Sequence, residues 1–183
     1  MSTTFDDAVE ILSGGGVGVL PTDTLYGLVG YALDPDVVAR IYDLKERDPD
    51  KPFIVLISDV EQVEEFGVVV SLQMEEVFSR YWPGPVSIIL ETVDEQFSYL
   101  DRGTGRIAFR LPADEQLRDL IRNTGPLVAP SANPQGSPPA TNTEEARTYF
   151  GTSIDFYVDV GEKKGGPSKV IEFTDGEVNV VRD

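Results

Sequence analysis

Short apolar runs, each of strand length and each bounded by a polar stretch rich in Pro, Gly, Ser and Thr, set the architecture of this chain. Val17 to Leu20 stops at Pro21. Phe53 to Ile57 follows Lys51-Pro52, Val86 to Glu91 follows Trp82-Pro83-Gly84-Pro85, and Leu127 to Ala129 runs into Pro130. Between them lie segments with the helical period. Phe5 to Leu12 is the first, stopped by Gly14-Gly15-Gly16. The second opens with Asp34 as N-cap and Pro35 at the first helical position and carries Val37, Val38, Ile41, Tyr42 and Leu44, which puts Lys45 near its C-terminus. Asp59 to Phe66, Leu72 to Tyr81, Asp114 to Asn123 and Thr143 to Phe150 read as further helices. Leu28 to Tyr31, Ile107 to Leu111, Ile154 to Val160, Lys169 to Phe173 and Val178 to Val181 read as further strands. Helices and strands alternate irregularly, which predicts an α/β fold with a mixed sheet layered against helices. No repeat, linker or domain boundary interrupts the pattern, so a single domain over residues 1–183 is expected.

Composition narrows the chemistry. The chain has no Cys and no His. Disulfides, thiolate catalysis and Cys-based zinc sites are therefore excluded, and a metal could be held only by carboxylates, carbonyls, water or substrate, which points to magnesium or calcium. Asp and Glu total 32 against 15 Lys and Arg, a net charge of −17. The acids are scattered through amphipathic segments that also hold many aromatic and β-branched residues, unlike a disordered acidic tail. An acidic surface suited to a halophilic cytoplasm is the reading adopted, with an ordinary acidic mesophile as the alternative. A broad electrostatic footprint for nucleic acid is absent. The N-terminus MSTTFDDAVEILSGGG has neither a basic n-region nor a long apolar core, and no run of apolar residues is long enough to span a membrane. A cytoplasmic protein without membrane contact is expected.

Five segments can carry function, and each has a plainer reading beside it. PTDTLYGLVG (21–30) brings Thr22, Asp23, Thr24 and Tyr26 to a strand end, either as a ligand loop or as a turn that satisfies its own backbone. LKERDPDKPF (44–53) offers Lys45, Arg47 and Lys51 to phosphate, or is a solvated helix end. APSANPQGSPPATN (129–142) presents Ser131 and Asn133 from a loop long for a mere connector. GRIAFRLP (105–112) sets Arg106 and Arg110 on one face of a strand, where they could equally pair with surface acids. GGPSKVIEF (165–173) puts Ser168 after a Gly-Gly-Pro turn. Trp82-Pro83-Gly84-Pro85 reads as a structural turn that packs Trp82, and the Gly14–Gly16 run lacks the Lys-Ser or Lys-Thr of a phosphate loop.

Taken in order, PTDTLYGL, LKERDPDKPFIVLI, WPGPVSIIL, GRIAFRLP, APSANPQGSPPAT and GGPSKVIEF with Arg182 near the end resemble the YrdC-type threonylcarbamoyl-AMP synthases. The resemblance covers about Phe5 to Arg182 and corresponds to the short form without an extra C-terminal domain. It implies a twisted mixed sheet flanked by helices around an open concave cavity, locally positive whatever the net charge. It also implies the formation of threonylcarbamoyl-AMP and pyrophosphate from L-threonine, bicarbonate or CO2, and ATP with magnesium. A separate complex then transfers the threonylcarbamoyl group to tRNA, so tRNA is reached only indirectly. Carried over by position, Lys45, Arg47 and Lys51 are the phosphate-binding cations, with Lys45 and Arg47 catalytic. Ser131, Asn133 and Arg182 contact the nucleotide, and Thr24, Arg110 and Ser168 hold threonine. The chain departs from the family in having Val55-Leu56 where longer relatives often have His, Arg47-Asp48-Pro49 for Arg-Pro, and Ser168-Lys169 for Ser-Thr.

The chemistry needs no histidine. A carbamate formed from the threonine amine and CO2 is already anionic when it attacks the α-phosphorus, so positioning and charge neutralisation carry the step. Two other readings stand beside this one. A non-catalytic RNA-binding module would use the same concave surface, and a carbamoyl-transfer domain of a hydrogenase-maturation protein would come with zinc-finger-like and acylphosphatase-like regions that the sequence does not contain.

Overall fold

In the computed structural model, residues 3–183 are described; Met1 and Ser2, where the segment read for a leader begins, lie outside them. Nine strands form one mixed sheet in the order β7-β1-β2-β6-β3-β5-β4-β8-β9. They are β1 (Gly18–Pro21), β2 (Tyr26–Tyr31), β3 (Ile54–Leu56), β4 (Val86–Glu91), β5 (Arg106–Arg110), β6 (Leu127–Val128), β7 (Phe156–Tyr157), β8 (Lys169–Thr174) and β9 (Glu177–Arg182). The pairs β7–β1, β3–β5 and β4–β8 are parallel, and the other neighbours are antiparallel. Among the described residues six α-helices surround the sheet: α1 (Phe5–Ser13), α2 (Pro35–Lys45), α3 (Leu72–Tyr81), α4 (Ser98–Asp101), α5 (Glu115–Thr124) and α6 (Thr143–Phe150).

The helix ends follow their sequence signals. Thr4 accepts from Asp7 N–H while the Asp7 carboxylate accepts from Thr4 N–H, a reciprocal capping box for α1. Asp34 accepts from the N–H groups of Asp36 and Val37 at the start of α2, with Pro35 in the first turn. The end of α2 is unusual. Glu46 N–H donates to Asp43 and Arg47 N–H to Tyr42, the paired bonds of a Schellman turn. The left-handed position is filled by Glu46, at φ 49°, rather than by glycine. A non-glycine residue there costs about 1 kcal/mol or more, and the turn it makes separates the directions of Lys45 and Arg47.

Strand side chains alternate between two apolar layers. Val19, Leu28, Val55, Val128, Ile88, Leu90, Ile107, Phe109, Ile171 and Phe173 face a large core packed by α2, α3 and α6. Leu20, Val29, Leu56 and Leu127 face the opposite way, against Ala8 and Leu12 of α1 and Leu117, Leu120 and Ile121 of α5. The second layer covers β7, through Phe156, and β1, β2, β6 and β3. On that same face β5, β4, β8 and β9 are left without a helix, and this uncovered half of the sheet is the floor of the cavity described below.

Three expectations change. Asp59 to Phe66 is a 3-10 helix over Val60–Phe66. The strand expected over 154–160 is only Phe156–Tyr157. Residues 95–101, whose sequence carries no helical period, form a 3-10 turn (Glu95–Phe97) continued by α4. Its apolar anchors, Phe97 and Leu100, are too few to show a period.

Candidate active site

A cavity of about 780 Å³ lies over the uncovered half-sheet. Its floor is the outward parity of the central strands: Arg106, Ala108 and Arg110 of β5, Ile89 of β4, and Val170 and Glu172 of β8. One wall is the turn between β1 and β2, with Thr22, Thr24 and Tyr26. Another is the loop after β6, with Ala129, Pro130, Ser131 and Pro139. Arg47, Pro52 and Phe53 form a third side, and Pro167, Ser168 and Arg182 close the fourth. Six of the nine sequence-nominated site residues therefore share one cavity: Arg47, Ser131, Arg182, Thr24, Arg110 and Ser168. Lys45, Lys51 and Asn133 do not line it.

The position of Lys45 follows from the last turn of α2. Its side chain runs inward, is 2 % exposed, and donates to the main-chain oxygens of Ser131 at 2.5 Å and Asn133 at 2.6 Å, with the Asn133 amide oxygen at 3.5 Å. Its own carbonyl accepts from Gln135 N–H, and the Gln135 side chain accepts from Asp48 N–H. Burial, and secondarily Arg47, lower the Lys45 ammonium to about 7. Asn133 is consumed in the same network. Its amide donates to the carbonyls of Pro134 and Ser137, and its oxygen accepts from Ser131 Oγ at 2.6 Å. Lysine and asparagine thus shape the Ser131–Asn133 turn from behind, and Ser131 is the member that faces the cavity. Lys51 points outward, more than half exposed and 3.6 Å from Asp48; its carbonyl accepts from Arg47 Nε. Arg47 also donates to the Pro52 carbonyl and lies 5.2 Å from the centre of the Phe53 ring. These contacts fix a half-buried guanidinium at the cavity edge, and burial lowers it from the ordinary arginine range.

At the other end Arg110, 3 % exposed, reaches Asp23 at 3.2 Å and Thr22 Oγ1 at 3.5 Å. Burial pushes its guanidinium down, Asp23 pulls it back up, and Arg182 adds a like charge. Arg182 donates from Nε and Nη2 to the Ser168 carbonyl and lies 3.3 Å from Ser168 Oγ. Ser168 Oγ in turn lies 2.9 Å from Ser87 Oγ, and both serines are buried. Thr24 Oγ1 is 3.1 Å from Thr22 Oγ1.

A strap, residues 158–168, runs from β7 to β8 and ends at Pro167 and Ser168 on the cavity wall. Tyr26 OH accepts from Val160 N–H and donates to the Gly161 carbonyl. Lys163 N–H donates to Thr141 O. Gly165 lies so close to Thr24 that an added Cβ would stand 2.1 Å from its carbonyl oxygen.

The cations are sorted by compensation. Arg106 pairs with Glu172 at 2.7 Å and Glu91 at 3.6 Å, and Arg110 pairs with Asp23. Among the described residues no carboxylate lies within ion-pair distance of Lys45, Arg47 or Arg182. A cavity with the uncompensated Arg47 at one side, and the compensated Arg110 with Arg182 at the other, can hold a polyanion next to a smaller polar group.

Comparison with known proteins decides the relationship. The Sua5/YciO/YrdC family model, described as "Telomere recombination", matches residues 10–183. This chain belongs to the Sua5/YciO/YrdC family. The threonylcarbamoyl-AMP synthase of Pyrococcus abyssi is 34 % identical over 170 residues, which are 92 % of this chain and 50 % of that protein. A putative threonylcarbamoyl-AMP synthase of Mycobacterium tuberculosis is 31 % identical over 179 residues, 96 % of this chain and 81 % of the relative. The crystal structure of P. abyssi Sua5 complexed with L-threonine superposes with a TM-score of 0.89 at 32 % identity, covering 97 % of this chain and 53 % of the other. This chain thus spans about half the length of the P. abyssi protein. Membership in the Sua5/YciO/YrdC family agrees with the mixed, helix-flanked sheet expected from the sequence.

The sequence does not point to Ser87, and it offers Asp23 only as one of the four polar residues of the candidate ligand loop 21–30. Ser87 is a lone hydroxyl in the apolar run Val86 to Leu90, a weak signal that the strand parity could have raised. Asp23 stood among four polar residues of one turn, with nothing local to single it out.

Proposed function

We propose that this protein is an L-threonylcarbamoyladenylate synthase. It joins L-threonine, CO2 or bicarbonate, and ATP into threonylcarbamoyl-AMP, with release of pyrophosphate. The observation that carries the reading is the convergence of Arg47 and Ser131 with Thr24, Arg110, Ser168 and Arg182 on one cavity, in a chain whose relatives are named for that product.

The triphosphate lies along the Arg47 and Ser131 side. Arg47 neutralises phosphate charge there, and Lys45 keeps the Ser131–Asn133 turn in shape and contributes positive potential from beneath it. Magnesium enters as part of the ATP complex; no group of three or more metal-ligating side chains occurs among the described residues, so phosphate oxygens and water supply most of its ligands. Threonine sits at the other end, its carboxylate on Arg110 and its flank against Thr24 and Ser168. The threonine ammonium gives a proton to water or bicarbonate, and its nitrogen bonds to the carbon of CO2 with release of a second proton to give the carbamate. A carbamate oxygen attacks the α-phosphorus, the new P–O bond forms, and the bond to pyrophosphate breaks. Holding the two reactants in line contributes on the order of 7–11 kcal/mol. The tRNA is left to a separate transfer protein, which fits a surface with net charge −17 and weighs against the RNA-binding alternative. We assign the protein to the cytoplasm; no helix of the described residues is long and apolar enough to cross a membrane.

The test is pyrophosphate release by the pure protein with ATP, magnesium and bicarbonate, supplied with single amino acids in turn. Release dependent on threonine is expected; equal release with every amino acid, or with none, would remove the reading.

A further inference from the structure

We propose that Asp23 sets the ligand selectivity of the amino-acid end. By compensating Arg110, it makes that end of the cavity bind a zwitterion in preference to a simple anion. The inference rests on the synthase reading for the identity of the zwitterion, L-threonine.

The Asp23 side chain is 8 % exposed and stands 3.2 Å from Arg110 Nη2. Among the described residues Asp23 Oδ2 has no hydrogen-bond partner, Oδ1 has only its contact with Arg110 Nη2, and Arg110 Nε has none. A buried carboxylate kept for stability alone is normally surrounded by donors, because desolvation otherwise outweighs its attraction to the partner. Here part of the bonding capacity of the pair is left open just behind a cavity that Arg110 lines. Asp23 does not itself line that cavity, whereas Arg110, Thr22 and Thr24 do. It therefore acts through Arg110 and through its field, as a positioning residue.

The contrast with the phosphate end gives the pair its meaning. Among the described residues Lys45 and Arg47 have no carboxylate at ion-pair distance, so that end attracts any polyanion. Arg110 without Asp23 would do the same, and with Arg182 nearby it would capture phosphate or plain carboxylic acids. With Asp23 in place the pair is close to neutral overall, and Arg182 beside it is the remaining cation of that end. A lone carboxylate gains from Arg110 and is repelled by Asp23. An α-amino acid presents its ammonium within a few ångströms of its carboxylate, so attraction to Asp23 replaces that repulsion. At low effective dielectric, charges this close are weakly screened, and a discrimination of at least about tenfold is expected.

The experiment compares L-threonine with the 3-hydroxy acid of the same stereochemistry that lacks the ammonium group. Binding to the wild-type protein and to Asp23→Asn is measured by calorimetry. Wild type should bind threonine at least about tenfold more tightly. In Asp23→Asn the ratio should fall toward unity, mainly because the hydroxy acid binds better. A purely structural role for Asp23 would weaken both ligands together and leave the ratio unchanged, which would overturn the inference and leave the synthase reading intact. Failure of wild type to bind threonine at all would overturn the synthase reading instead, and this inference with it. Should Asp23→Asn not fold, the wild-type ratio decides: tenfold or more supports the inference, and parity contradicts it.

Discussion

The ammonium nitrogen of Lys45 ends 2.5 Å from the main-chain oxygen of Ser131, so the lysine of the Lys-Glu-Arg motif holds the turn whose Ser131 lines the cavity. Burial and Arg47 bring it down to about 7 from 10.5. The folded protein then sheds this proton earlier than the unfolded chain does. Its contribution to stability rises with pH between about 7 and 10.5. Nucleotide binding has the opposite sign, because a bound anion favours the ammonium. At about pH 8, ATP binding should take up close to one proton per nucleotide, read as a dependence of calorimetric heat on buffer ionisation enthalpy. Lys45→Met should abolish the uptake.

Arg47 is the one cation of its motif that lines the cavity. Arg47→Ala should reduce turnover by the equivalent of about 2–4 kcal/mol, roughly 30- to 1,000-fold, by analogy with the loss of a single charge-stabilising donor. Steady-state pyrophosphate release checks this. Lys51→Ala, which removes an outward, half-exposed cation, should change the rate several-fold at most.

Ser87 and Ser168 share a buried contact of 2.9 Å between hydroxyls. Ser87→Ala leaves Ser168 held by Arg182 alone. The loss of about 1 kcal/mol, a roughly fivefold change, should appear in KM for threonine, with KM for ATP unaltered. An equal rise in both constants would show that Ser168 does not serve the amino-acid end.

Gly165 has no room for a side chain against the Thr24 carbonyl. Gly165→Ala should lift the strap from the turn that carries Thr24. Threonine affinity should fall by about tenfold or more, since the obstacle is backbone and the strap itself must move. Trypsin should also cut faster at Lys163 and Lys164 on that strap. An unchanged cleavage rate would mean that the strap stays in place.

Net charge −17 should make folding salt-dependent. Raising salt from about 0.1 to about 1 M shortens the screening length from about 10 to about 3 Å. The thermal midpoint should rise over that range. A midpoint that falls or stays constant would remove the halophilic reading of the composition.

The core elements were legible because their signals are local. Asp34-Pro35 marks a helix start whatever surrounds it, and Val86 to Leu90 has the apolar character of a buried strand. Short elements held by a few tertiary contacts were not: Phe156–Tyr157 is a strand only because it lies beside Gly18 and Val19. The site divides the same way. Motif position nominated Arg47, Ser131, Arg110 and Ser168, and strand parity put Arg106 and Arg110 on one face. The inward path of Lys45 depends on a left-handed turn at Glu46, a residue that does not advertise one. The roles of Ser87 and Asp23 depend on partners 81 residues away and in β5, which no local pattern reveals.

The central claim is that one cavity holds a triphosphate beside an amino acid and joins them through a carbamate. Isotope-labelled bicarbonate, ATP and L-threonine should be incubated with the protein and the products resolved by mass spectrometry. The account predicts an adenylate that contains threonine and the labelled carbon, formed in step with pyrophosphate. Pyrophosphate or ADP released with no such adenylate, at any salt concentration that keeps the protein folded, would contradict it.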